Sequence, residues 1–413
     1  MIRLFERWAL DPALVVAVLL LTVFGIAMIY SAGVVEVPNP VTQYAWVRQS
    51  AWLIIALMAF SVAARVPLRW IEWVAVPAYV VSLVLLAATL VIGSGAGTAS
   101  GVESWINLGP LHFQPSEVAK IATILTLARL LGQRDRPLSS LRDIVAPASI
   151  VGAPLVLIML QPDLGTALAF IGILFAVLYW AGTPVALLAL LASPGLGLIL
   201  SFDTLIWSGY ILCVVVFLYA YRYRLFFFES VAVLLANFAA GTIARPLWSS
   251  LASYQQNRIL VYLDPGVDPR GAGYQIIQSM VAIGSGGLRG KGFTAGTQKR
   301  LDFLPEQHTD FIFSVVGEEL GFLGTVLAIL AFAYVLARLV VMAQRAEDPF
   351  AGLVLLGIFG AWLVHIFVNV GMTVGLVPIT GIPLPFVSYG GTFLLMSWVA
   401  VALAVRVAHE GVQ

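Results

Sequence analysis

Long apolar runs recur along this chain, and they constrain its fold more than any other feature. Of its 413 residues, 61% are hydrophobic and only 10% are charged, whereas soluble domains carry about 25% charged residues. A helix needs about 20 apolar residues to cross the hydrocarbon core of a membrane, where no backbone group can stay unpaired. The sequence therefore predicts an all-α polytopic membrane protein.

Twelve runs reach or approach this length. They predict spans at residues 12–33, 46–64, 70–92, 116–132, 143–160, 164–181, 184–201, 205–221, 225–244, 309–337, 350–372 and 386–408. A large loop at about 245–308 separates the ninth run from the tenth. We interpret residues 1–413 as a single integral membrane domain, a bundle of about 10–12 transmembrane helices.

Basic residues are unevenly distributed among the short loops, and this distribution predicts the orientation. Counted from a cytoplasmic N-terminus, the inner turns carry thirteen arginines, while the short outer loops carry only Arg48. Long loops are exempt from the rule. We expect both termini in the cytoplasm and the loop 245–308 on the extracytoplasmic side.

Charge is concentrated in one segment, residues 263–321. The chain has 22 basic and 21 acidic residues, and twelve of these lie in that segment. Ionisable groups beside apolar spans cost free energy unless they meet water, each other or a charged ligand. We therefore expect the functional site here. The single cysteine, Cys213, excludes a disulfide framework and a cysteine metal site, and nothing indicates a nucleic-acid partner.

Two acids in this segment, Glu306 and Asp310, are four residues apart and follow Pro305. Proline suits the first turn of a helix. If a helix begins there, both carboxylates share one face, and their repulsion raises the proton affinity of at least one. Such a carboxylate suits a general base. Helix capping and structural ion pairing are more frequent roles for the same spacing, so both interpretations stay open.

Just upstream, residues 284–300 combine six glycines with four cations, Arg289, Lys291, Lys299 and Arg300. Glycine lets backbone amides approach an anion, and the cations supply charge, as a phosphate or pyrophosphate requires. Composition alone favours a loop whose cations touch lipid headgroups. The segment lacks the GxxxxGK[ST] order of a nucleotide-binding loop.

Other polar residues interrupt the apolar runs. Glu117 and Lys120 share a helix face near its outer end, where an ion pair or a functional pair would fit equally. Asp163 lies at the junction of the fifth and sixth spans, and Glu318 is an intramembrane acid, a type often functional. His365 and Asn369 share a face of the eleventh span, where hydrogen bonds between helices are the commoner role.

Five motifs resemble one known family, the SEDS proteins of shape, elongation, division and sporulation. The motifs are QPSEVAK at 114–120, QPDLGT at 161–166, DPRGAGYQIIQSMVAIGSGGLRGKG at 268–292, FLPEQHTDFIFSVVGEELG at 303–321 and GIPLPFVSYGG at 381–391. Residues 290–311 are more similar to the RodA branch, which serves elongation, than to the FtsW branch, which serves division. The resemblance implies a SEDS-type helical bundle in the bacterial cytoplasmic (inner) membrane.

The resemblance also implies an activity, a peptidoglycan glycosyltransferase that polymerises lipid II into β-1,4-linked glycan by an inverting mechanism. It implies that Asp310 is the catalytic aspartate. We assign substrate binding to other residues of the polar segments and motifs: Glu117, Lys120, Asp163, Arg289, Lys291, Glu306, His308, Thr309 and Ser388. The implied partners are a class B penicillin-binding protein and the elongation machinery. No cofactor is indicated, and the use of a divalent cation is left open.

Alternatives from other classes also fit the composition. A lipid II flippase, historically proposed for the family, is the nearest, and a division-specific FtsW-like polymerase is another. A secondary transporter fits less well, because its polar site should lie near the midplane with repeat symmetry. The family usually has ten spans, so the twelve runs here predict an extra helix pair at about 200–245.

Overall fold

The computed structural model describes residues 11–36, 40–95, 104–109, 111–134, 136, 138–220, 227–268, 271–301 and 306–410. In the first half of the chain the helices are α1 (Pro12–Ala32), α2 (Pro40–Gln43), α3 (Ala45–Ala63), α4 (Leu68–Ile92), α5 (Pro115–Gly132), α6 (Leu141–Leu160), α7 (Leu164–Trp180) and α8 (Val185–Leu200). In the second half they are α9 (Thr204–Ala220), α10 (Phe227–Ser250), α11 (Ser253–Leu263), α12 (Ala272–Ser285), α13 (Thr297–Arg300), α14 (Ile312–Arg345), α15 (Pro349–Thr373) and α16 (Gly391–Glu410). Strands β1 (Ile106–Leu108) and β2 (Leu111–Phe113) form an antiparallel hairpin before α5.

Helices occupy all twelve predicted spans, which confirms a multi-pass membrane protein. In the described residues, eight are long and apolar enough to cross a membrane, namely α1, α3, α4, α6, α10, α14, α15 and α16, while α7, α8 and α9 are shorter apolar helices. The segment 245–308 is not a plain loop, because α10 continues to Ser250 and α11, α12 and α13 follow.

Helix α15 is the centre of the bundle. In its most apolar stretch, 72% of the residues are buried, against 22–39% in six of the other spans. It packs on α5, α7, α14 and α16, whereas α8, α9 and α10 pack mainly on one another. Its contact with α7 is close because Gly360 meets Gly172, and a Cβ on either glycine would lie within 2.7 Å of the other's carbonyl oxygen. Small residues let membrane helices approach in this way.

Helix α14 is broken at Gly321, whose backbone is left-handed at φ 64° and ψ −162°. A break leaves amides and carbonyls without helical partners. A loop after α12 supplies them: the amides of Phe322 and Leu323 donate to the carbonyls of Gly287 and Leu288, at 2.8 and 3.2 Å. In return, residues 291 and 292 donate from their amides to the carbonyls of residues 318 and 319, both at 3.0 Å. The glycine-rich segment is therefore a fixed structural element that completes α14.

A buried ion pair attaches this region to α1. Lys299 and Glu319 are 1% and 0% exposed, and Nζ lies 2.5 Å from Oε1. The ammonium also donates to the carbonyl and the hydroxyl of Ser31, at 2.6 and 2.5 Å, and the Ser31 hydroxyl donates to Glu319. Pairing offsets the cost of burying both charges. Lys299 and Glu319 thus have a structural role.

Gly290 tests the fixed loop. Its φ is +78°, and a Cβ there would lie 2.0 Å from the carbonyl oxygen of Glu319. We expect Gly290→Ala to lower the free energy of unfolding by about 1–3 kcal/mol or more. A non-glycine residue is strained in the left-handed region, and its Cβ would clash with the backbone of Glu319. The measurement is the thermal unfolding midpoint of the purified protein in detergent.

The matched control is Gly284→Ala, in α12, where a Cβ would meet nothing within 4 Å. That change should be neutral or slightly stabilising, since alanine favours a helix. Equal midpoints for Gly290→Ala and wild type would contradict the role given to the loop.

Candidate functional site

Asp310 lies in a tight turn that precedes α14, so the helix does not begin at Pro305. Pro305 itself is outside the described residues, and α14 begins at Ile312. Glu306 has a left-handed backbone with φ 52°, which is incompatible with the first turn of a helix. Its carbonyl accepts from the amides of Thr309 and Phe311, at 3.1 and 3.3 Å. The expectation that Glu306 and Asp310 share a helical face is wrong, although the turn still brings them together.

Helix α15 holds this turn through Asn369. The side-chain amide of Asn369 donates to the carbonyl of Asp310 at 2.9 Å and to that of Ile382 at 2.7 Å. Ile382 belongs to the segment 374–390, which joins α15 to α16 and which we call the α15–α16 hairpin. Asn369 is fully buried, so both bonds are made away from competing solvent. One amide thus fixes the turn against the hairpin.

The hairpin makes further bonds to the turn. The Ser388 hydroxyl donates to the carbonyl of Thr309 at 2.6 Å, and the Tyr389 amide donates to the carbonyl of His308 at 2.9 Å. The rings of His308 and Tyr389 lie 5.4 Å apart. His308, Thr309 and Ser388 are therefore brought together with Asp310, largely through backbone carbonyls.

The carboxyl of Asp310 has a raised pKa. Burial is the largest cause and raises the pKa to about 7, with further contributions from the negative charges of Glu306 and Asp163. Arg258, on α11, opposes them and lowers the pKa. Gly381 of the hairpin lies close to the carboxyl, since a Cβ there would be 3.2 Å from Oδ2. A carboxylate with a pKa near neutrality is suited to accept a proton.

Lys120, on α5, is a buried cation. The Nζ of Lys120 lies 3.0 Å from Oε2 of Glu117, and these side chains are 7% and 5% exposed. Nζ also lies 2.9 Å from Nε2 of His365 and 5.4 Å from the centroid of the Phe393 ring. The predicted span at 116–132 is a helix that begins at Pro115, and Glu117 and Lys120 share one of its faces, as expected. The pair is buried, however, and it is not a surface ion pair.

Asp163 connects the two groups electrostatically. It caps α7, where Oδ1 accepts from the Thr166 amide at 2.9 Å and Oδ2 from the Thr166 hydroxyl at 2.7 Å. Its charge acts on both Glu117 and Asp310. The site therefore combines the ends of α5 and α7 with the turn before α14.

Arg289 and Lys291 belong to a different group of contacts. Lys291 is 2.7 Å from Oε1 of Glu318 and donates to the Thr297 hydroxyl, also at 2.7 Å. The Gln298 amide donates to the same Glu318 oxygen at 2.9 Å. Arg289 is exposed. In the described parts of the chain, no contact joins these two cations to Asp310 or Lys120, and their predicted role stays a prediction.

No metal centre is formed by the described residues, where three or more His, Cys, Asp or Glu side chains never converge with suitable spacing. Glu117 and Lys120 themselves line a cavity between α5, α15 and α16. Ile124, Trp362, His365, Phe393 and Met396 are among the residues that line it. The site thus combines one acid of raised pKa, Asp310, with one buried cation, Lys120, that lines a largely apolar cavity.

The role of Arg258 is not visible in the sequence, and those of Asn369 and His365 are only partly so. Arg258 lies in a polar helix of unremarkable composition, and nothing in its neighbourhood signals an approach to Asp310. For the other two a signal existed, because His365 and Asn369 are four residues apart in an otherwise apolar helix. His365 makes the expected bond to another helix, through Lys120 on α5, whereas both bonds of Asn369 go to non-helical segments of the site.

Comparisons with known proteins agree on one family. The profile of the FtsW/RodA/SpoVE family, described as cell cycle protein, matches residues 12–208 and 200–413. The peptidoglycan glycosyltransferase MrdB of Escherichia coli K12 is 35% identical over 398 residues, 95% of this chain and 91% of that protein.

Solved structures of the same kind superpose on the whole chain. A chain from a peptidoglycan synthase complex, studied for the coordination of polymerization and crosslinking, is 32% identical with a TM-score of 0.72 and covers 98% of this chain and 99% of its own. The rod shape determining protein RodA of Thermus thermophilus is 28% identical with a TM-score of 0.64, and 98% of each chain is covered. With a profile match and a relative that each span nearly the full length, this chain belongs to the FtsW/RodA/SpoVE family, the SEDS proteins.

Proposed function

We propose that this chain is a RodA-like peptidoglycan glycosyltransferase that polymerises lipid II into glycan strands during cell elongation. The observation that carries the proposal is the Asp310 carboxyl, whose pKa of about 7 suits a general base, in a chain whose relatives are named peptidoglycan glycosyltransferases. A flippase needs no such base. The active site is proposed to face the extracytoplasmic side of the bacterial inner membrane, with both termini in the cytoplasm.

The reaction needs one base and one group that stabilises the negative charge of the leaving pyrophosphate. Asp310 takes the proton from the acceptor hydroxyl as that oxygen attacks the anomeric carbon of the donor sugar. The bond from this carbon to the pyrophosphate breaks on the opposite face, so the product is the inverted, β-linked glycan. The pyrophosphate leaves still attached to its lipid carrier, as an anion stabilised by cations, and no protein acid has to protonate it.

We assign Lys120, the buried cation on α5, to the pyrophosphate. Glu117 and Asp163 orient that cation and balance its charge. Glu306, His308, Thr309 and Ser388 shape the acceptor side around Asp310. Arg289 and Lys291 lie in the neighbouring loop and are proposed to meet the headgroup as it enters, with Lys291 exchanging its contact with Glu318.

A partner follows from the same proposal. The matched chain of known structure comes from a synthase complex that coordinates polymerization and crosslinking. We propose that this chain works beside a class B penicillin-binding protein, which would crosslink the strands, within the elongation machinery. We also propose that the whole chain is a single membrane domain that includes the helix pair α9 and α10.

The first expected outcome concerns Asp310→Asn. The amide has nearly the same shape but accepts no proton, so glycan synthesis from lipid II by the purified protein in detergent should fall by about 10²- to 10⁴-fold. Asp203→Asn is the matched control, because Asp203 caps α9 by accepting from two amides, and asparagine caps equally well. Near wild-type synthesis by Asp310→Asn would make the aspartate structural. A wild-type protein that makes no glycan would favour a flippase.

The second expected outcome is a pH dependence. A protonated Asp310 cannot accept a proton, so kcat/KM should rise as pH rises through about 7 and then level off. Arg258 lowers the pKa of Asp310, so Arg258→Gln should move this rise to higher pH. Glu306 raises that pKa, so Glu306→Gln should move it to lower pH. The measurement is kcat/KM against pH for the three proteins, and identical profiles would contradict the assignment.

The third expected outcome concerns the pair Glu117 and Lys120. We expect Lys120→Met and Glu117→Gln each to lower kcat/KM strongly, with the double variant little worse than the poorer single one, because members of one functional unit are not additive. The control is Arg134→Ala, which breaks the ion pair with Asp143, whose side chains are 31% and 27% exposed. Loss of such an exposed pair should lower the free energy of unfolding by only about 0–1 kcal/mol. Additive losses in the double variant would show that Glu117 and Lys120 act independently, and would contradict the prediction.

A further inference from the structure

His365 is a buried histidine whose two ring nitrogens both have partners. It lies on α15 and is 2% exposed. Its Nδ1 is 3.0 Å from the carbonyl oxygen of Pro383 in the α15–α16 hairpin, and its Nε2 is 2.9 Å from Nζ of Lys120 on α5. The ring also stacks on Phe393 at 5.0 Å. One side chain thus connects three elements of the site.

These contacts define the tautomer of the ring. The Pro383 carbonyl can only accept, so Nδ1 carries the proton and donates to it. In the neutral ring Nε2 is then an acceptor. The Lys120 ammonium can only donate, so it gives one of its protons to Nε2. In the opposite tautomer, Nε2–H would point at the Lys120 ammonium, which is also a donor, and the unprotonated Nδ1 would face the Pro383 carbonyl, which is also an acceptor. The geometry therefore makes His365 a specific acceptor for Lys120.

The ion pair with Glu117 would not by itself fix the ammonium. Glu117 and Lys120 are three residues apart on one helix, and a lysine side chain has a flexible four-carbon stem with three rotatable donors. His365 approaches from another helix, 245 residues away in sequence, and determines a second direction. With two protons directed to Glu117 and His365, the third remains for a ligand oxygen.

We propose that His365 is a positioning residue, which holds the Lys120 ammonium toward the pyrophosphate of the lipid-linked donor by accepting a hydrogen bond from it. This inference rests on the proposed function. It also gives α15 a second task, since Asn369, one turn further on, holds the carbonyl of Asp310. The same helix face therefore sets the cation and the base at a fixed separation.

The test compares variants that keep or remove the acceptor. His365→Gln keeps both functions, because a carboxamide can accept from Lys120 and donate to Pro383. His365→Phe keeps a planar ring against Phe393 but removes the acceptor, and His365→Leu is a second variant without one. We expect the Phe and Leu variants to raise KM for lipid II by about tenfold or more, the worth of a hydrogen bond to a charged group, while kcat changes less. The Gln variant should stay near wild type.

A second readout avoids turnover. In the Asp310→Asn background, the Kd for lipid II should rise with His365→Phe and be restored by His365→Gln. Adding His365→Phe to Lys120→Met should raise Kd no further, because the histidine acts through that lysine. Leu363→Ala is the control on the same helix, where an exposed side chain, 42% accessible, faces away from the site.

The outcomes separate this inference from the proposed function. A wild-type protein without polymerase activity would overturn the proposed function, whatever the variants do. With an active wild type, a KM and Kd unchanged in both the Phe and Leu variants would overturn the positioning role. Equal loss in the Gln and Phe variants, or a fall in kcat alone, would also overturn it, because a packing role does not depend on an acceptor.

Discussion

The pair of hydrogen bonds made by the Asn369 carboxamide is the interaction on which the site depends. One buried amide donates to the carbonyls of Asp310 and Ile382, so the turn before α14 and the α15–α16 hairpin are joined to the same helix. A buried donor that lost its partners would cost about 1–3 kcal/mol. Because α15 also lies at the centre of the bundle, the position of Asp310 is tied to that centre.

Charge inside the bundle is of two kinds. Glu117 with Lys120 and Glu319 with Lys299 are buried pairs whose opposite charges lie within 3.0 Å, which offsets the cost of their desolvation. Asp310 differs, because two of the charges that act on it, Glu306 and Asp163, are also negative, and its pKa is raised to about 7. An acid kept in such surroundings is less stable as an anion, and this is the property that a general base near neutral pH requires.

The break in α14 at Gly321 explains why the polar loop after α12 packs directly against that apolar helix. Backbone groups at Gly321 lose their helical partners, and the loop after α12 replaces them at 2.8–3.2 Å. Irregular backbone at such a place is tolerated only where protein satisfies it. The same loop carries Arg289 and Lys291, so the glycines that looked like an anion-binding device have a structural function first. The amides of residues 291 and 292 are used for α14, and the Lys291 side chain pairs with Glu318 of the same helix, whereas Arg289 is exposed.

The sequence by itself determined the class of protein, the positions of all twelve apolar helices and the family. Hydrophobic length follows directly from the thickness of a membrane, and the five motifs are contiguous in sequence, so neither needs knowledge of contacts. Local pairs such as Glu117 and Lys120 were also predictable, because three residues on a helix place two side chains on one face.

Only the tertiary structure decided how these parts meet. Lys120 and His365 are 245 residues apart, and Asn369 and Asp310 are 59 apart, so no periodicity relates them. The pKa of Asp310 depends on burial and on the fields of Asp163 and Arg258, which come from other helices. The turn at Glu306 replaced an expected helix because a left-handed residue cannot continue one. Desolvation and charge at a site are sums over neighbours in space, and a linear sequence does not contain those distances.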